Sequence, residues 1–210
     1  MKFLGKKHNN IKDESIRVEN KLYNDKFIEG LNIKEIEAFD FHKSIGNSVL
    51  KDNNPFETVW LKNIDRLMTM IPDNIKTENY CLLDVGSGLG ISTIYFKEKY
   101  NFISFEGFDY DPKLVEMSKQ ILYKIYIDKT INFYQADAYE YVLAQDKPYV
   151  LFLFNSFGKK TLNKFISNNI YSLQKNNSIL LYCNDHHYSE INGYLKFYRN
   201  DFYNLSAFLF

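Results

Sequence analysis

Leu82–Gly90, with the sequence LLDVGSGLG, is the stretch that decides the fold of this chain. It completes a short, mostly apolar run from Tyr80 to Val85, which predicts a buried parallel strand. Three glycines follow at alternate positions, and a helical pattern begins at Ile91. A strand, a glycine turn and a helix N-terminus together bring backbone N–H groups and a positive helix end up to a nucleotide-like ligand.

The spacing of the acid and the glycines separates two classes of nucleotide site. Dinucleotide sites favour Gly-x-Gly-x-x-Gly, usually without an acid just before the first glycine. This chain instead has Asp-x-Gly-x-Gly-x-Gly, formed by Asp84, Gly86, Gly88 and Gly90. A nicotinamide or flavin site and a turn whose glycines serve packing alone are the alternatives.

The motif resembles the first motif of the class I, Rossmann-like S-adenosylmethionine (SAM)-dependent methyltransferases, and all four of its fixed positions match. The resemblance extends over residues 55–210. It implies an α/β three-layer sandwich with a mostly parallel seven-stranded sheet and an antiparallel C-terminal strand. It also implies that SAM is the cofactor and that its sulfonium methyl group is transferred to a nucleophile.

Two later acids stand where the family binds the rest of the cofactor. Asp109 ends the second predicted strand, from Phe102, at the family's ribose-binding position, where a carboxylate can accept hydrogen bonds from two vicinal hydroxyls. Asp137-Ala138 follows a third predicted strand, as does the family's adenine-binding Asp-Ala step. Asp111 is predicted to cap the next helix, with ligand contact as the alternative. By resemblance, the cofactor-binding residues are Asp84, Gly86, Ser87, Gly88, Gly90, Asp109, Tyr110, Asp137 and Ala138.

Asn155 is the candidate catalytic residue. It follows Tyr149–Phe154, an unbroken apolar run that predicts a central strand, and in the family the next position faces the methyl group. Amine methyltransferases often carry Asn/Asp-Pro-Pro-aromatic there, whereas this chain has Asn155-Ser156-Phe157 without proline. Asn155 would orient a nucleophile through its amide. The alternatives are that it lines the pocket or caps the next helix.

The remaining segments fit the same fold. Asn54-Pro55 with Glu57 predicts a helix start, and an apolar face that includes Trp60 continues as core until Pro72 ends the helix. The loop before Pro55 is expected near the SAM pocket. Further predicted elements are the third strand Ile131–Gln135, a helix over Leu162–Leu173, a strand over Ile179–Cys183 and a hairpin over Tyr194–Phe210 with its turn at Asn200-Asp201.

Residues 1–54 form an N-terminal extension or cap with little apolar periodicity. The segment is charged and rich in asparagine, which predicts a short helix or an irregular structure, with disorder from Met1 to about Ser15. The methyltransferase domain is predicted to cover residues 55–210.

Composition and sequence patterns exclude several other classes of protein. Lys plus Arg and Asp plus Glu number 26 each, so the chain has no overall basic footprint for nucleic acid, although a local patch stays open. No apolar stretch approaches the length of a membrane span, and the N-terminus lacks the apolar core of a signal peptide. We therefore expect a soluble, cytoplasmic protein with a small-molecule or protein substrate and no membrane partner.

Cysteine and histidine usage does not predict a metal site. Cys81 and Cys183 lie in separate predicted strands and form no Cys-x-x-Cys pair, so both are expected to be buried free thiols. His186 and His187 are adjacent and point in different directions on any regular element. A solvated loop is the favoured interpretation, with one histidine as general base or substrate contact as the alternative.

Three functions are compatible with the sequence. The first is a methyltransferase that acts on a small molecule or a protein. The second is a nucleic-acid methyltransferase, which Asn155-Ser156-Phe157 favours and which the zero net charge and missing prolines oppose. The third is a non-catalytic SAM-binding protein with the same fold.

Overall fold

The structure, a computed structural model, describes residues 14–31, 52, 57–125 and 131–210. Its helices are α1 (Glu14–Gly30), α2 (Leu61–Met68), α3 (Ile91–Lys99), α4 (Pro112–Ile125) and α5 (Lys159–Lys175), with 3-10 turns at Thr77–Asn79 and Tyr188–Glu190. Its strands are β1 (Cys81–Val85), β2 (Ser104–Asp109), β3 (Ile131–Gln135), β4 (Tyr149–Phe154), β5 (Ile179–Cys183), β6 (Lys196–Asn200) and β7 (Leu205–Leu209).

The seven strands form one sheet in the order β3-β2-β1-β4-β5-β7-β6. The first five run parallel to one another, and β7 lies antiparallel between β5 and β6. The predicted mostly parallel sheet with an antiparallel end is thereby confirmed, together with the hairpin over residues 194–210. Strands β3, β4 and β5 have the predicted bounds. β4 and β5 are buried apolar runs, whereas β3, at the end of the sheet, alternates buried with more exposed residues.

Two hydrophobic cores cover the two faces of the sheet. Successive residues of β1 point to opposite faces, so that Leu82 belongs to one core and Leu83 to the other. The Leu82 core contains side chains of α2, α3 and α4, and the Leu83 core contains those of α5. Helix, sheet and helix therefore form the three layers that the sequence predicts.

The helix predicted to start at Asn54-Pro55 begins later, at Leu61, and this expectation was wrong for the described residues 57–60. Asn24 of α1 explains the late start. Its Nδ2 donates to the Val59 carbonyl oxygen (2.7 Å), and its Oδ1 accepts from the Leu61 N–H (2.9 Å). A side chain from another helix therefore binds the extended entry to α2. The proposed cap Asn54-Pro55 and the predicted domain boundary between them lie outside the described residues.

Helix α1 is joined to α2 and α3 by a cluster of tyrosines around one carboxylate. Asp65 of α2 accepts hydrogen bonds from Tyr95 (2.8 and 2.9 Å), Tyr100 (2.6 Å) and Tyr23 of α1 (3.3 Å). The hydroxyls of Tyr23 and Tyr95 also lie 2.7 Å apart. Of the two predicted alternatives for the N-terminal extension, a short helix or an irregular structure, residues 14–30 form a helix, and at 17 residues it is longer than expected. The predicted disordered stretch lies outside the described residues, except that Glu14 and Ser15 begin α1.

All five parallel strands end at one edge of the sheet, as do β6 and the start of β7. This edge, the carboxyl edge, carries the loops after β1, β2, β3, β4 and β5. In an open parallel sheet, ligands bind at this edge where the strand order reverses, here between β1 and β4. Among the helices in the described ranges, none has the length and apolarity to cross a membrane.

Candidate functional site

The glycine loop after β1 adopts a backbone that requires glycine. Gly86, Gly88 and Gly90 all have positive φ, at 77°, 55° and 76°. Residues with a Cβ rarely adopt this left-handed conformation. The N–H groups of Gly86 and Ser87 donate to the Phe108 carbonyl oxygen at 2.9 and 2.8 Å. The loop is thus folded against the end of β2.

Side chains approach the glycines so closely that a Cβ would not fit at two of them. A Cβ on Gly86 would overlap Ser156 of the β4–α5 loop, and one on Gly90 would overlap the Phe133 ring from β3. The Ser156 Oγ donates to the Val85 carbonyl oxygen at 3.1 Å. The loops after β1 and β4 are therefore in direct contact.

Asp84, the acid of the motif, faces the first turn of α3. The Ser92 and Thr93 hydroxyls donate to its Oδ2 at 2.5 and 2.7 Å. Burial raises the pKa of Asp84 to about 6, the charge of Asp109 adds to the rise, and the hydroxyl bonds oppose it. The side chain is 2% exposed. Asp84 therefore joins the end of β1 to the first turn of α3, on the far side of the glycine loop in sequence.

Asp109 connects the end of β2 to the glycine loop. Its Oδ2 accepts from the Gly88 N–H and its Oδ1 from the Asp111 N–H, both at 2.9 Å. Burial raises the pKa of Asp109, whereas the two N–H groups favour the charged form. Each carboxylate oxygen has a second lone pair, so the group can still accept hydrogen bonds from a ligand. Asp111 caps α4 as predicted, because its Oδ1 accepts from the Lys113 N–H at 2.8 Å.

The residues after β3 lie beside Asp109. The Ala136 N–H donates to the Asp109 carbonyl oxygen (3.1 Å), which brings the following Asp137 to the same edge. The Asp137 Oδ1 accepts from the Tyr139 N–H at 2.9 Å and holds a tight turn. Ala138 is buried, and Tyr110, on the other side of Asp109, is 40% exposed. The predicted cofactor residues therefore all lie at the ends of β1, β2 and β3 or directly after them.

Asn155 lies directly after β4 in a left-handed conformation with φ of 41°, and it is 8% exposed. The cap position of α5 is Gly158, so the alternative that Asn155 caps this helix is wrong.

The contacts at the start of α5 come from Asp52. Its carbonyl oxygen accepts from the Gly158 N–H and its Oδ2 accepts from the Thr161 N–H, both at 2.6 Å. The loop that was expected near the pocket reaches the carboxyl edge through this residue.

Asn184 follows β5 as Asn155 follows β4. Phe154 and Cys183 are paired in the parallel ladder, so the two asparagines occupy equivalent positions on neighbouring strands. Asn184 also has a left-handed backbone, with φ of 56°, and is 1% exposed. Among the described residues, neither its Oδ1 nor its Nδ2 has a hydrogen-bond partner.

Asp185, the acid after Asn184, forms an ion pair with an arginine of the same sheet. Arg199 of β6 binds Asp185 with Nε at 2.9 Å and Nη2 at 3.2 Å, and Ser206 also donates to this carboxylate. Asp185 is 1% exposed. The pair and the hydroxyl therefore hold the β5 loop against the β6–β7 hairpin, in a geometry with two parallel hydrogen bonds.

A cavity of about 650 Å³ opens at the same edge beside β6, with Arg66 and Tyr203 in its wall. The Arg66 guanidinium lies 3.9 Å from the centre of the Tyr203 ring, and its Nη1 donates to Asn63 Oδ1 at 2.6 Å. The Asn63 Nδ2 in turn donates to Cys183 Sγ at 3.7 Å. Asn63 therefore connects Arg66 of the cavity wall with Cys183 at the end of β5.

The two cysteines are free thiols and both are buried, as predicted. Burial raises the pKa of Cys183 to about 12, so this thiol is not a nucleophile at neutral pH. His186 is exposed in the loop after β5, as the sequence suggests. Over the residues that the structure describes, no three His, Cys, Asp or Glu side chains are grouped so that they could hold a metal ion.

Sequence reasoning missed Asp52 and Asn184. Asp52 is far from β4 along the chain, and no local pattern connects it with α5. A usable signal existed for Asn184, because an asparagine that directly follows a buried apolar strand was the reason for selecting Asn155. Asparagine tolerates the left-handed backbone better than other residues with a Cβ.

The structure is similar to several solved methyltransferases. These include the RNA methyltransferase from Salinibacter ruber in complex with S-adenosyl-L-homocysteine, at 15% identity and a TM-score of 0.46, over 70% of this chain and 88% of that one. The SAM-dependent methyltransferase from Thiobacillus denitrificans, also in complex with S-adenosyl-L-homocysteine, is 18% identical with a TM-score of 0.44, over 69% and 55% of the two chains.

YjhP from E. coli is 20% identical with a TM-score of 0.45, over 68% of this chain, which spans about half of that protein's length (54%). No protein-family model matches the sequence, and no curated protein matches it. At such identities the likeness concerns the fold.

Proposed function

We propose that this protein is a SAM-dependent methyltransferase whose cofactor lies across the ends of β1, β2 and β3. The observation that carries the proposal is the glycine loop, in which three left-handed glycines follow Asp84 and one of them donates to Asp109. Because glycine has no side chain, such a loop lets a ligand approach its backbone closely. The neighbouring carboxylate can accept hydrogen bonds from ribose hydroxyls.

The residues present fit each part of SAM. Asp109 can bind the ribose, and Asp137 with the Ala138 N–H can bind adenine. The glycine loop and the start of α3 suit the amino acid portion, with Asp84 as an anionic group behind it. When bound, SAM supplies a methyl group that its positive sulfur already activates. The protein mainly has to hold the acceptor in line and exclude water.

Asn155 is proposed to orient the acceptor. It is buried at the end of a central strand, and its loop contacts the glycine loop through Ser156. An amide can accept from an acceptor N–H and donate to a neighbouring atom without a change in charge. We propose a small molecule or a protein as the substrate and residues 55–210 as the catalytic domain. The buried free thiols fit a reducing compartment such as the cytoplasm.

Calorimetry on the purified protein tests the cofactor. We expect SAM and S-adenosylhomocysteine to bind and NADH to give no heat. Tight NADH binding without a SAM signal would overturn the proposal. Methyl transfer is then measured as S-adenosylhomocysteine release with metabolites, peptides and oligonucleotides. Turnover of oligonucleotides alone would establish the nucleic-acid alternative, and binding without turnover of any acceptor would favour a non-catalytic SAM-binding protein.

A further inference from the structure

The strand order divides the carboxyl edge into two halves. The proposed cofactor residues lie at or directly after the ends of β1, β2 and β3, which are neighbours at one side of the sheet. β4 is the next strand beyond β1, and β5 lies beyond β4. If the cofactor covers the first half, the ends of β4 and β5 are the positions left for the methyl acceptor. Asn155 and Asn184 are the residues at these two ends.

Asn184 combines a buried side chain without hydrogen-bond partners, a cost that a bound ligand would offset, with a left-handed backbone. Its side chain is 1% exposed, and neither polar atom has a partner among the described residues. A buried polar group without a hydrogen bond destabilises the fold, and such groups are rare in native structures. The backbone is also left-handed, which is unfavourable for a residue with a Cβ. An apolar residue or glycine at this position would avoid the cost of burying polar atoms without hydrogen-bond partners.

The two residues next to Asn184 in the chain offer a ligand no free charge. The adjacent Asp185 is bound by Arg199 and by Ser206. Cys183, on the other side, has a thiol that stays protonated at neutral pH. The asparagine amide itself is neutral and presents one acceptor oxygen beside one donor NH2 group. Its complement is an uncharged group with a donor and an acceptor side by side.

We propose that Asn184 binds the methyl acceptor as the neighbour of Asn155, and that the acceptor carries an uncharged amide-like edge, in which an N–H group lies beside a hydrogen-bond acceptor. This inference rests on the proposed methyltransferase function and narrows its substrate class. A carboxamide and the amino edge of a nucleobase share this chemistry. Such an edge would give both the Oδ1 and the Nδ2 of Asn184 a hydrogen-bond partner.

Two matched pairs of compounds separate the two sources of this edge. N-acetylglutamine is compared with N-acetylglutamate, which lacks the side-chain NH2 donor, and adenosine is compared with purine riboside, which lacks the amino group. Each is titrated into protein saturated with S-adenosylhomocysteine. The readout is the NMR signal of the Asn184 side-chain NH2 group, assigned by its loss in Asn184→Asp. We expect at least one amide-like compound to shift this signal and to bind about tenfold or more tightly than its matched partner.

The variants Asn184→Gly and Asn184→Asp are expected to lose about tenfold or more in acceptor affinity while S-adenosylhomocysteine binds as in wild type. Asn177→Gly is the matched control, because Asn177 also has positive φ (49°) but precedes β5 at the opposite edge. A purely structural Asn184 would instead lower the melting temperature on substitution and leave acceptor affinity unchanged. Asn184→Asp provides the same comparison if the glycine variant does not fold.

Three results would overturn the inference: no shift of the Asn184 signal with either amide-like compound at millimolar concentration, equal binding of both members of each pair, or unchanged acceptor affinity in both variants. Calorimetry with S-adenosylhomocysteine keeps the two proposals distinct. Wild type that fails to bind this compound refutes the methyltransferase assignment. Wild type that binds it while Asn184 substitutions have no effect refutes only the role of Asn184.

Discussion

The backbone N–H of Gly88 donates to the Oδ2 of Asp109 across 2.9 Å, and this bond holds the glycine loop against the end of β2. The proposed ribose-binding carboxylate therefore also fixes the loop on which the rest of the cofactor is proposed to lie. Loss of the carboxylate removes direct contacts and loosens the loop at the same time.

We expect Asp109→Ala to lower SAM affinity about ten- to a hundredfold, because charge-assisted hydrogen bonds contribute roughly 1.5–3 kcal/mol. Calorimetry measures the affinity, and urea unfolding shows whether the variant is folded. Asp111→Ala is the control, since Asp111 caps α4 two residues away. Equal affinities of Asp109→Ala and wild type in a folded protein would refute the ribose assignment.

Gly88→Val is expected to abolish SAM binding while the sheet still forms. The φ of Gly88 is 55°, a region where a β-branched residue costs on the order of 1–3 kcal/mol. Gly193→Val serves as the control, because Gly193 has φ of 80° and lies before β6, away from the carboxyl edge. Circular dichroism monitors the fold. Wild-type affinity and an unchanged melt for Gly88→Val would mean that the glycine turn is not the cofactor site.

Asp84 should make stability depend on pH in the weakly acidic range. Burial raises its pKa to about 6, whereas an aspartate in an unfolded chain titrates near about 3.9. Between these values the folded protein binds a proton that the unfolded chain does not. The contribution of Asp84 to the free energy of unfolding therefore falls as pH rises from about 4 to about 6, and is level above that.

The fall amounts to at most about 3 kcal/mol, from a shift of about two pKa units at 1.36 kcal/mol each. Urea unfolding of wild type and Asp84→Asn across this range measures it. The stability of wild type relative to Asp84→Asn should be greatest at the acidic end and decline towards about pH 6. Parallel pH dependences of the two proteins would contradict the assigned pKa.

Asn24→Ala should lower the free energy of unfolding by about 1–3 kcal/mol, because it leaves a buried carbonyl and a buried N–H without their partner. The groups are the Val59 carbonyl oxygen and the Leu61 N–H. Leu22→Ala is the control on the same helix, with a side chain that is 62% exposed. Urea unfolding measures both variants. If they lose the same small amount, α1 does not stabilise the entry to α2.

The parallel half of the sheet could be predicted because its signals are local. Runs such as Tyr149–Phe154 are apolar throughout and end in polar residues, so both the strand and its bounds follow from sequence. The glycine loop has the same property, since its backbone conformation restricts the residue type at each position. By contrast, α1 packs Tyr23, Phe27 and Ile28 against the core but buries Asn20 and Asn24 on the same side. These two asparagines interrupt the apolar periodicity that reveals a helix.

The start of α2 and the cap of α5, next to the proposed acceptor position, depend on contacts between residues that are distant in sequence. Asn24 binds residues 35 and 37 positions away, and Asp52 binds Thr161 across 109 positions. No pattern within one segment predicts such contacts. The role proposed for Asn184 likewise depends on which strand becomes the neighbour of β4, and this is a property of the sheet order.

The labelling rates of the two buried thiols can report local opening of the native protein. Cys81 begins β1 at one edge of the sheet, and Cys183 ends β5 at the other. A thiol reagent can modify either residue only while that region is transiently open, so each labelling rate gives the free energy of one opening reaction. Ligand at the carboxyl edge should therefore slow modification of Cys183 more than that of Cys81, which mass spectrometry can follow without any engineered label.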